Sequence, residues 1–411
     1  MNARRAAELA ARNSYGRLVA YLATRSRDVA AAEDALGDAF LAALKTWPET
    51  GVPKNPEAWL LVTARRRLID TARRIQVNDR VVHTLQLPGF ALQTEPELEA
   101  VSFPDDRLKL LFICAHPAID AAVHTPLMLQ TVLGLNAIQI ASAFLVAPAT
   151  MGQRLVRAKA KIRDAGIAFE IPATTDLPTR LNAVLAAIYA AYTNGWETVM
   201  GGDPRHQGLA EEAIWLARLC VQLMPTEPEA RGLLALMLYC ESRRKARRTD
   251  RGTYVPLSEQ DTQLWSQAMI DEAERELAKA ATFKTMGRFQ LEAAIQSIHA
   301  QRAVVQNTDW SALALLYAGL IQLSPTLGAF VGHAAAIAEA QTVEQGLSLL
   351  TALPEDAVKT YQPYWALKAY LLKRLGQNTA AQQAYSRAIG LTENAAIREF
   401  LIQQSFPSEE I

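Results

Sequence analysis

A group of basic residues between positions 150 and 164 has the spacing that nucleic-acid binding requires. Arg154, Arg157 and Lys161 recur at steps of three and four residues, which places them on one face of a helix. A major groove accepts a helix, and an arginine can bond two acceptors on guanine while basic neighbours hold phosphates. Gln153 and Arg154 stand near the helix start, where side chains reach base edges. A solvated basic face near a helix C-terminus explains the same pattern, so both interpretations stand on spacing alone.

A second basic group lies between positions 59 and 80. Its arginines are too many for one helical stripe, and we expect these four to contact the phosphate backbone: Arg65, Arg66, Arg73 and Arg74. Asn55 and Trp59 lie near a loop where an unstacked base could be held, although Trp59 is by default interpreted as a core residue. A basic amphipathic helix can also meet acidic lipid, and the interrupting Asp70 argues against that alternative.

Helix signals position this second group. Asp28 can cap a helix that runs to about Trp47, and three prolines then mark a loop. Asn55 opens the next helix, because a side-chain acceptor at the cap, a proline in the first turn and an acid behind it favour a helix start. The apolar pattern decays after position 75 into a polar linker that ends near Pro104.

A helix–turn–helix candidate positions the first group. Residues 136–146 form a short amphipathic helix, and Ala147-Pro148-Ala149 is the turn. Thr150 is expected to cap the second helix, which carries the basic face, and Gly166 is expected to end that helix.

Composition predicts a helical protein of two or three domains. The chain has 411 residues, of which 50% are hydrophobic, and 42 basic residues balance 42 acidic ones. Three widely spaced cysteines suit a reducing cytoplasm and provide neither a disulfide framework nor a metal site. No apolar run is long enough for a membrane span or a signal peptide. We expect no cofactor, no bound metal and no covalent chemistry.

The pattern after position 179 predicts a series of helices with short breaks between them. One stretch has the spacing of a tetratricopeptide unit, that is, two antiparallel helices in contact through small residues: Trp365, Ala369, Leu372, Gly376, Ala381, Tyr385 and Ala388. Earlier stretches have a compatible but weaker periodicity. The basic run 243–248 is interpreted as a solvated face, with contact to DNA or a polymerase as the alternative.

The order of these motifs resembles a known family. Two stretches are similar to region 2 of extracytoplasmic-function sigma-70 factors: DVAAAEDALGDAFLAALKTW and NPEAWLLVTARRRLIDTARR. Two further stretches look like region 4 of the subgroup with a tetratricopeptide-like extension: FPDDRLKLLFICAHPAI and IASAFLVAPATMGQRLVRAKAKI. The resemblance covers nearly the whole chain. It implies an all-α fold with a region-2 bundle, a helix–turn–helix region-4 domain and a C-terminal helical-repeat domain.

The resemblance also implies partners and site residues. Core RNA polymerase, through the clamp of its largest subunit and its flap, and promoter DNA are the expected partners. The residues that match the clamp-binding part are Asp34, Asp38, Phe40 and Leu41. The loop 46–55 and the helix after it match the part that captures the −10 element. The helix bearing Gln153, Arg154, Arg157 and Lys161 matches the reader of the −35 element.

We therefore expect four segments. Residues 1–80 form region 2, 81–104 a linker, 105–170 region 4, and 171–411 a regulatory domain that can hold a protein or peptide partner. The function implied is promoter-specific transcription initiation in the cytoplasm. Two alternatives stay open: an operator-binding regulator with a sensing repeat domain, and a polymerase-binding scaffold without promoter recognition. The second is kept open because Arg66 stands where the family commonly has asparagine.

Overall fold

A computed structural model describes the chain over residues 3–78, 105–144, 146–173, 175–197, 209–249, 252–305 and 307–405. The described residues form helices joined by turns and irregular connections, with one isolated bridge between Arg248 and Tyr254 and no strand, so the predicted all-α class is confirmed. The chain divides into two compact units, Met1–Leu216 and Ala217–Ile411. The predicted linker 81–104 lies outside the described residues.

Among its described residues, unit one holds eight helices, and a ninth begins there and ends in unit two. Their bounds are α1 Ala3–Ser26, α2 Val29–Thr50, α3 Pro56–Asn78, α4 Arg107–Cys114, α5 Ala121–Thr131, α6 Ala137–Ala143, α7 Pro148–Asp164, α8 Leu177–Glu197 and α9 Leu209–Leu223. Helices α1, α2 and α3 pack on one another in a three-helix bundle.

The start of each long helix in this bundle follows from its capping residue. Asp28 accepts a hydrogen bond from the backbone N–H of Ala31 at 3.0 Å, and Asn55 accepts one from Ala58 at 3.0 Å, as expected. The predicted break at Pro48 is wrong, because α2 continues through this proline to Thr50. A proline in the last turn removes only one backbone bond, and the N–H of Gly51 still closes the helix on the Trp47 carbonyl.

Helices α6 and α7 pack together across a short connection. Helix α7 begins at Pro148 and not after Thr150, because proline at the first helical position is preorganised and needs no donor. Thr150 therefore lies inside the first turn instead of capping it. At the other end Gly166 takes φ +60°, which agrees with the predicted stop.

The three-helix bundle also contacts the later helices of unit one. Helix α1 packs on α4 and α5, and α2 packs on α7. Gly16 marks the closest approach, because a Cβ built there lies 1.8 Å from the Val132 carbonyl oxygen at the end of α5. Only glycine allows two backbones to lie this close.

Helix α8 belongs to unit one. It packs on α5 and α4 and buries one apolar stripe: Leu181, Val184, Leu185 and Ile188. The residues just beyond the predicted end of region 4 therefore help to form the core of unit one.

Unit two is a succession of helices in which neighbours in sequence pack on each other. They are α10 Pro228–Ser242, α11 Gln267–Thr282, α12 Arg288–Val305, α13 Trp310–Leu323, α14 Leu327–Ala340, α15 Val343–Thr351, α16 Glu355–Val358, α17 Gln362–Arg374, α18 Asn378–Leu391 and α19 Ala395–Ser405.

The stretch with tetratricopeptide spacing forms the pair α17 and α18. Ala369, Ala381 and Ala388 are buried between these helices, with Leu372 and Tyr385 in the same cluster. Small residues thus allow close approach, as the spacing requires. The assignment of the whole extension to the tetratricopeptide class stays a prediction.

The basic run predicted to be a solvated face is largely engaged with unit two. Arg243 donates to the Gln296 side chain at 2.5 Å, and Arg244 pairs with Glu241. Nearby on α12, His299 lies between Arg243 and Arg302. Burial first, and then these two guanidinium groups, lower the pKa of His299 to about 4.

Candidate nucleic-acid interface

The predicted reading face of α7 is exposed as a whole. Its other side buries the apolar residues Met151, Leu155, Ala158 and Ile162. Gln153, Arg154, Arg157 and Lys161 then point to solvent, because they fall between those positions in the helical repeat. The structure brings the four together on one helix, as the spacing predicts.

An open groove of about 490 Å³ runs beside this face. Its lining comprises Arg154, Arg157 and Lys161 on α7, together with the turn that precedes α5 and the first residues of α5. The single acid in the lining, Asp120, accepts a hydrogen bond from the N–H of Ala122 and so caps α5. The lining holds three cations and one carboxylate that is used as a cap, so the groove favours binding of an anionic nucleic-acid strand.

Two further basic residues of α7 have acidic partners, one of them buried and one at the surface. Lys159 is only 9% exposed, and its Nζ lies 2.5 Å from the Glu33 carboxylate of α2. Arg163 lies 3.0 Å from Asp164 and 3.8 Å from Asp28. Counting basic residues between positions 150 and 164 therefore overstates the charge on the reading face.

The second predicted group lies on α3. Arg66 is exposed and Arg65 half-buried on this helix. The side chains of Arg73 and Arg74 lie outside the described residues. Asn55 uses its side-chain oxygen as the helix cap, which leaves its amide NH₂ as the group that can face a ligand.

Trp59 combines the two interpretations given to it. It is half-buried and meets Trp47 of α2 edge to face, with 5.4 Å between ring centroids. One side of the ring therefore packs on the bundle while part of it faces solvent beside the loop 51–55.

The outer side of α2 carries the residues expected to meet a protein partner. Asp34 and Asp38 are exposed, Leu41 is 59% exposed, and Phe40 is half-buried. Leu44, one turn beyond, is 45% exposed. Exposed acidic side chains beside exposed leucines on one helix make a surface suited to a basic and partly apolar partner.

Other kinds of site have no support within the described ranges. They contain no group of three or more potential metal ligands and no helix long and apolar enough to cross a membrane. Cys114 is fully buried, with its Sγ 3.5 Å from Thr131 Oγ1. Burial raises the pKa of the Cys114 thiol to about 12, so its role is in packing.

Comparison with known families identifies the first bundle. Residues 11–77, which span most of α1, all of α2 and nearly all of α3, match the model of sigma-70 region 2. The chain belongs to the sigma-70 family.

Further comparisons cover the rest of this sigma-70 family chain. Residues 180–281 match a family of unknown function, DUF6596. An uncharacterized protein of Rhizobium meliloti (strain 1021) is 38% identical over 382 residues, which cover 92% of this chain and 90% of the relative. No solved structure matches the sigma-70 family chain.

The sequence interpretation missed the ion pairs inside unit one. Asp106 is 1% exposed and is bonded by Arg25 of α1 at 3.1 Å and by Lys109 at 2.8 Å. Glu33 pairs with Lys159. One signal was present, since Lys159 follows Leu155 by four residues and so lies on the apolar face of α7.

Proposed function

We propose that the chain is a sigma factor of the extracytoplasmic-function type that binds core RNA polymerase and directs promoter-specific transcription initiation. The observation that carries the proposal is the separation of charge over unit one. Acids are exposed on α2, within the matched region 2, and cations are exposed on α3 and α7. Such a chain can meet a basic protein surface and a DNA backbone at the same time.

The polymerase contact is assigned to the outer side of α2. Asp34 and Asp38 would meet basic residues of the largest-subunit clamp, and Leu41 would add apolar contact. Phe40, half-buried, would support the helix from below. The flap is assigned to region 4.

Promoter contacts are assigned to two surfaces. Trp59, the amide of Asn55 and the arginines Arg65 and Arg66 would capture the −10 element, where melted bases need a stacking partner and a cationic path for the backbone. Arg73 and Arg74 are proposed, on the sequence alone, to contact the phosphate backbone of the same promoter element. Gln153, Arg154, Arg157 and Lys161 would read the −35 element from the major groove.

The extension is proposed to be regulatory. Helical arrays present extended surfaces to peptides or proteins, and the paired helices of unit two have that construction. We propose a protein or peptide partner there, and we keep the tetratricopeptide-like class as part of the proposal.

Reconstituted transcription tests the proposal. The full-length chain and core RNA polymerase are given a genomic promoter library, and the run-off transcripts are sequenced. We expect discrete start sites that share two upstream elements. The double change Arg154→Ala with Arg157→Ala should abolish them, while Arg163→Ala, a cation already paired with Asp164, should leave most of the signal.

Salt dependence sharpens the same test. Each lost phosphate contact reduces the slope of log affinity against log salt by about 1. Changing Arg154 and Arg157 together should therefore reduce the slope for holoenzyme on promoter DNA by up to about 2. If either side chain contacts a base edge and not a phosphate, the reduction in slope is smaller, and its substitution relaxes sequence preference instead.

Charge reversal separates the alternatives. Asp34→Lys with Asp38→Lys should abolish binding to core polymerase, and Asp164→Lys, an equally exposed acid on α7, should not. A chain that binds core polymerase but yields no transcripts is a scaffold. A chain that binds duplex DNA unaided and ignores the reversal is an operator-binding regulator, and failure to bind core polymerase refutes the proposal.

A further inference from the structure

The connection between α10 and α11 differs from the other described connections in unit two. It contains 24 residues, 243–266, whereas the others contain two to five. Its ends meet, because the N–H of Ser266 donates to the Ser242 carbonyl at 2.9 Å, so the segment forms a closed loop that we call the α10–α11 loop. Ordering so long a loop costs much conformational entropy, and loops of this length in compact domains usually have a function.

Two helices hold the α10–α11 loop in place. Arg302 of α12 donates to the carbonyls of Leu257 and Gln260, the second at 2.6 Å. Tyr254 meets Phe400 of α19 edge to face, with 5.5 Å between ring centroids. The loop therefore has one defined conformation, and polar side chains on it are positioned before any ligand arrives.

The basic run 243–248 opens this loop and gives two of its cations to a cavity. Lys245 and Arg248 are three residues apart across the 3₁₀ turn Arg244–Arg247, and at that spacing side chains lie above one another. Both line an open cavity of about 640 Å³. Sites for small molecules have volumes of about 300–1,000 Å³, so the cavity is large enough for such a ligand.

The other described lining residues are Thr249 and Leu264. Thr249 Oγ1 accepts a hydrogen bond from the N–H of Thr253 at 3.2 Å, which leaves the hydroxyl hydrogen to donate. Arg248 donates to the Gly252 carbonyl at 3.2 Å, and this bond orients its guanidinium at the cavity. Leu264 is 49% exposed and adds an apolar side. The lining thus combines two cations, a hydroxyl donor and an apolar side chain.

The rest of the basic run favours a small anion over a nucleic-acid strand. Arg243 donates to Gln296 at 2.5 Å, and Arg244 pairs with Glu241, so the run presents no continuous row of cations. A DNA backbone carries one charge per about 1.7 Å of helix axis and is bound by several cations in succession. Two cations at one cavity match a single phosphate or carboxylate group instead.

We propose that the α10–α11 loop binds a small anionic molecule through a phosphate or carboxylate group. Lys245 and Arg248 hold its charge, and Thr249 donates a hydrogen bond to it. Leu264 contacts an apolar part of the same molecule. The binding does not rest on the proposed function, because it is a property of unit two in the free chain. Only an effect of the bound anion on transcription would rest on it.

Hydrogen exchange over residues 243–266 of the full-length chain, followed by mass spectrometry, tests the site. Inorganic phosphate and citrate are added separately, and sodium chloride at the same ionic strength corrects for charge screening. A ligand that must leave before the loop opens slows exchange by the factor 1 + [L]/Kd. For a Kd of about 1 mM, a probe at about 10 mM should slow exchange in the loop about tenfold.

Three variants at exposed lysines make the test specific. Lys245→Glu reverses one charge of the cavity and should reduce the slowing to less than about twofold. Lys245→Arg keeps the charge and should keep the slowing. Lys359→Glu is the matched control, because it reverses an exposed lysine elsewhere in unit two and should respond as the parent chain does.

Each outcome decides the proposal. Slowing by phosphate, by citrate or by both that Lys245→Glu removes supports the site, and the more effective probe names the ligand class. The proposal is wrong if neither probe slows exchange more than sodium chloride does, or if Lys245→Glu responds as the parent does. Duplex DNA that slows exchange in the loop where both small anions fail would assign the basic run to nucleic acid and overturn the proposal.

Discussion

Replacing Gly16 by alanine tests the closest contact inside unit one. A Cβ at this position lies 1.8 Å from the Val132 oxygen and 2.9 Å from its carbonyl carbon. These are backbone atoms at the end of α5, where the Val132 N–H is bonded to the Met128 carbonyl, so they cannot rotate away. Either the helices shift or α1 and α5 separate.

The magnitude follows from two opposing effects. Alanine is favoured over glycine inside a helix by about 1 kcal/mol, so the substitution should stabilise α1 by itself. Overpacking in a filled contact costs about 1–3 kcal/mol, and contact with backbone at this distance belongs at the upper end. We expect Gly16→Ala to lower the free energy of unfolding by about 1–2 kcal/mol net.

Gly37 provides the matched control. It also lies inside a helix of the same bundle, α2, and a Cβ there has no neighbour within 4 Å. Gly37→Ala should therefore show the helix effect alone, a gain of about 0.5–1 kcal/mol. Helix propensity cancels in the difference between the two variants, which leaves about 2–3 kcal/mol for the contact.

Urea unfolding followed by circular dichroism measures both variants. A Gly16→Ala chain that is stabilised as much as Gly37→Ala would refute the close approach of α1 and α5.

Two further predictions concern the rest of the chain. His299 has a pKa of about 4 in the folded chain, below its usual value near 6.5, so its contribution to stability is present above pH 6.5 and is lost as pH falls below it. The free energy of unfolding should therefore be about 2 kcal/mol lower at pH 5 than above pH 6.5 because of this group. His299→Gln should abolish this pH dependence when unfolding is measured between pH 5 and 8. Truncation after Pro172 removes α8 and uncovers apolar surface of α5, so the thermal midpoint of the fragment should fall well below that of one ending at Leu223. Equal midpoints would show that α8 adds nothing to unit one.

Local features could be predicted from the sequence because their causes are local. Asp28 and Asn55 bond the N–H three residues on, and each carries its own signal in its residue type. The exposed face of α7 follows from the helical repeat that buries Met151 and Ile162 on the other side. The pairing of α17 with α18 follows from small residues at fixed spacing.

Long-range contacts could not be predicted, because a charged residue looks the same in sequence whether it meets solvent or another helix. Lys159 stands in sequence among the basic residues of α7, and only the fold supplies its partner Glu33, 126 positions away. Asp106 and Arg25 are likewise separated by 81 positions. The helix start at Pro148 was missed for a different reason, since proline serves equally in a turn and in the first helical turn.

The placement of α8 bears on how the extension could act. The predicted regulatory domain begins at position 171, yet α8 packs on α5 within unit one. The end of α5 carries Val132, which meets Gly16 of the region-2 bundle. Contiguous packing therefore runs from α8 through α5 to α1. A partner that shifts α8 would change the packing of α5 on α1, whereas an extension tethered by a plain linker would have no such route. Amide hydrogen exchange at the end of α5 and in α1 should therefore respond to substitutions on the buried face of α8, such as Val184→Ala, and not to substitutions on α18.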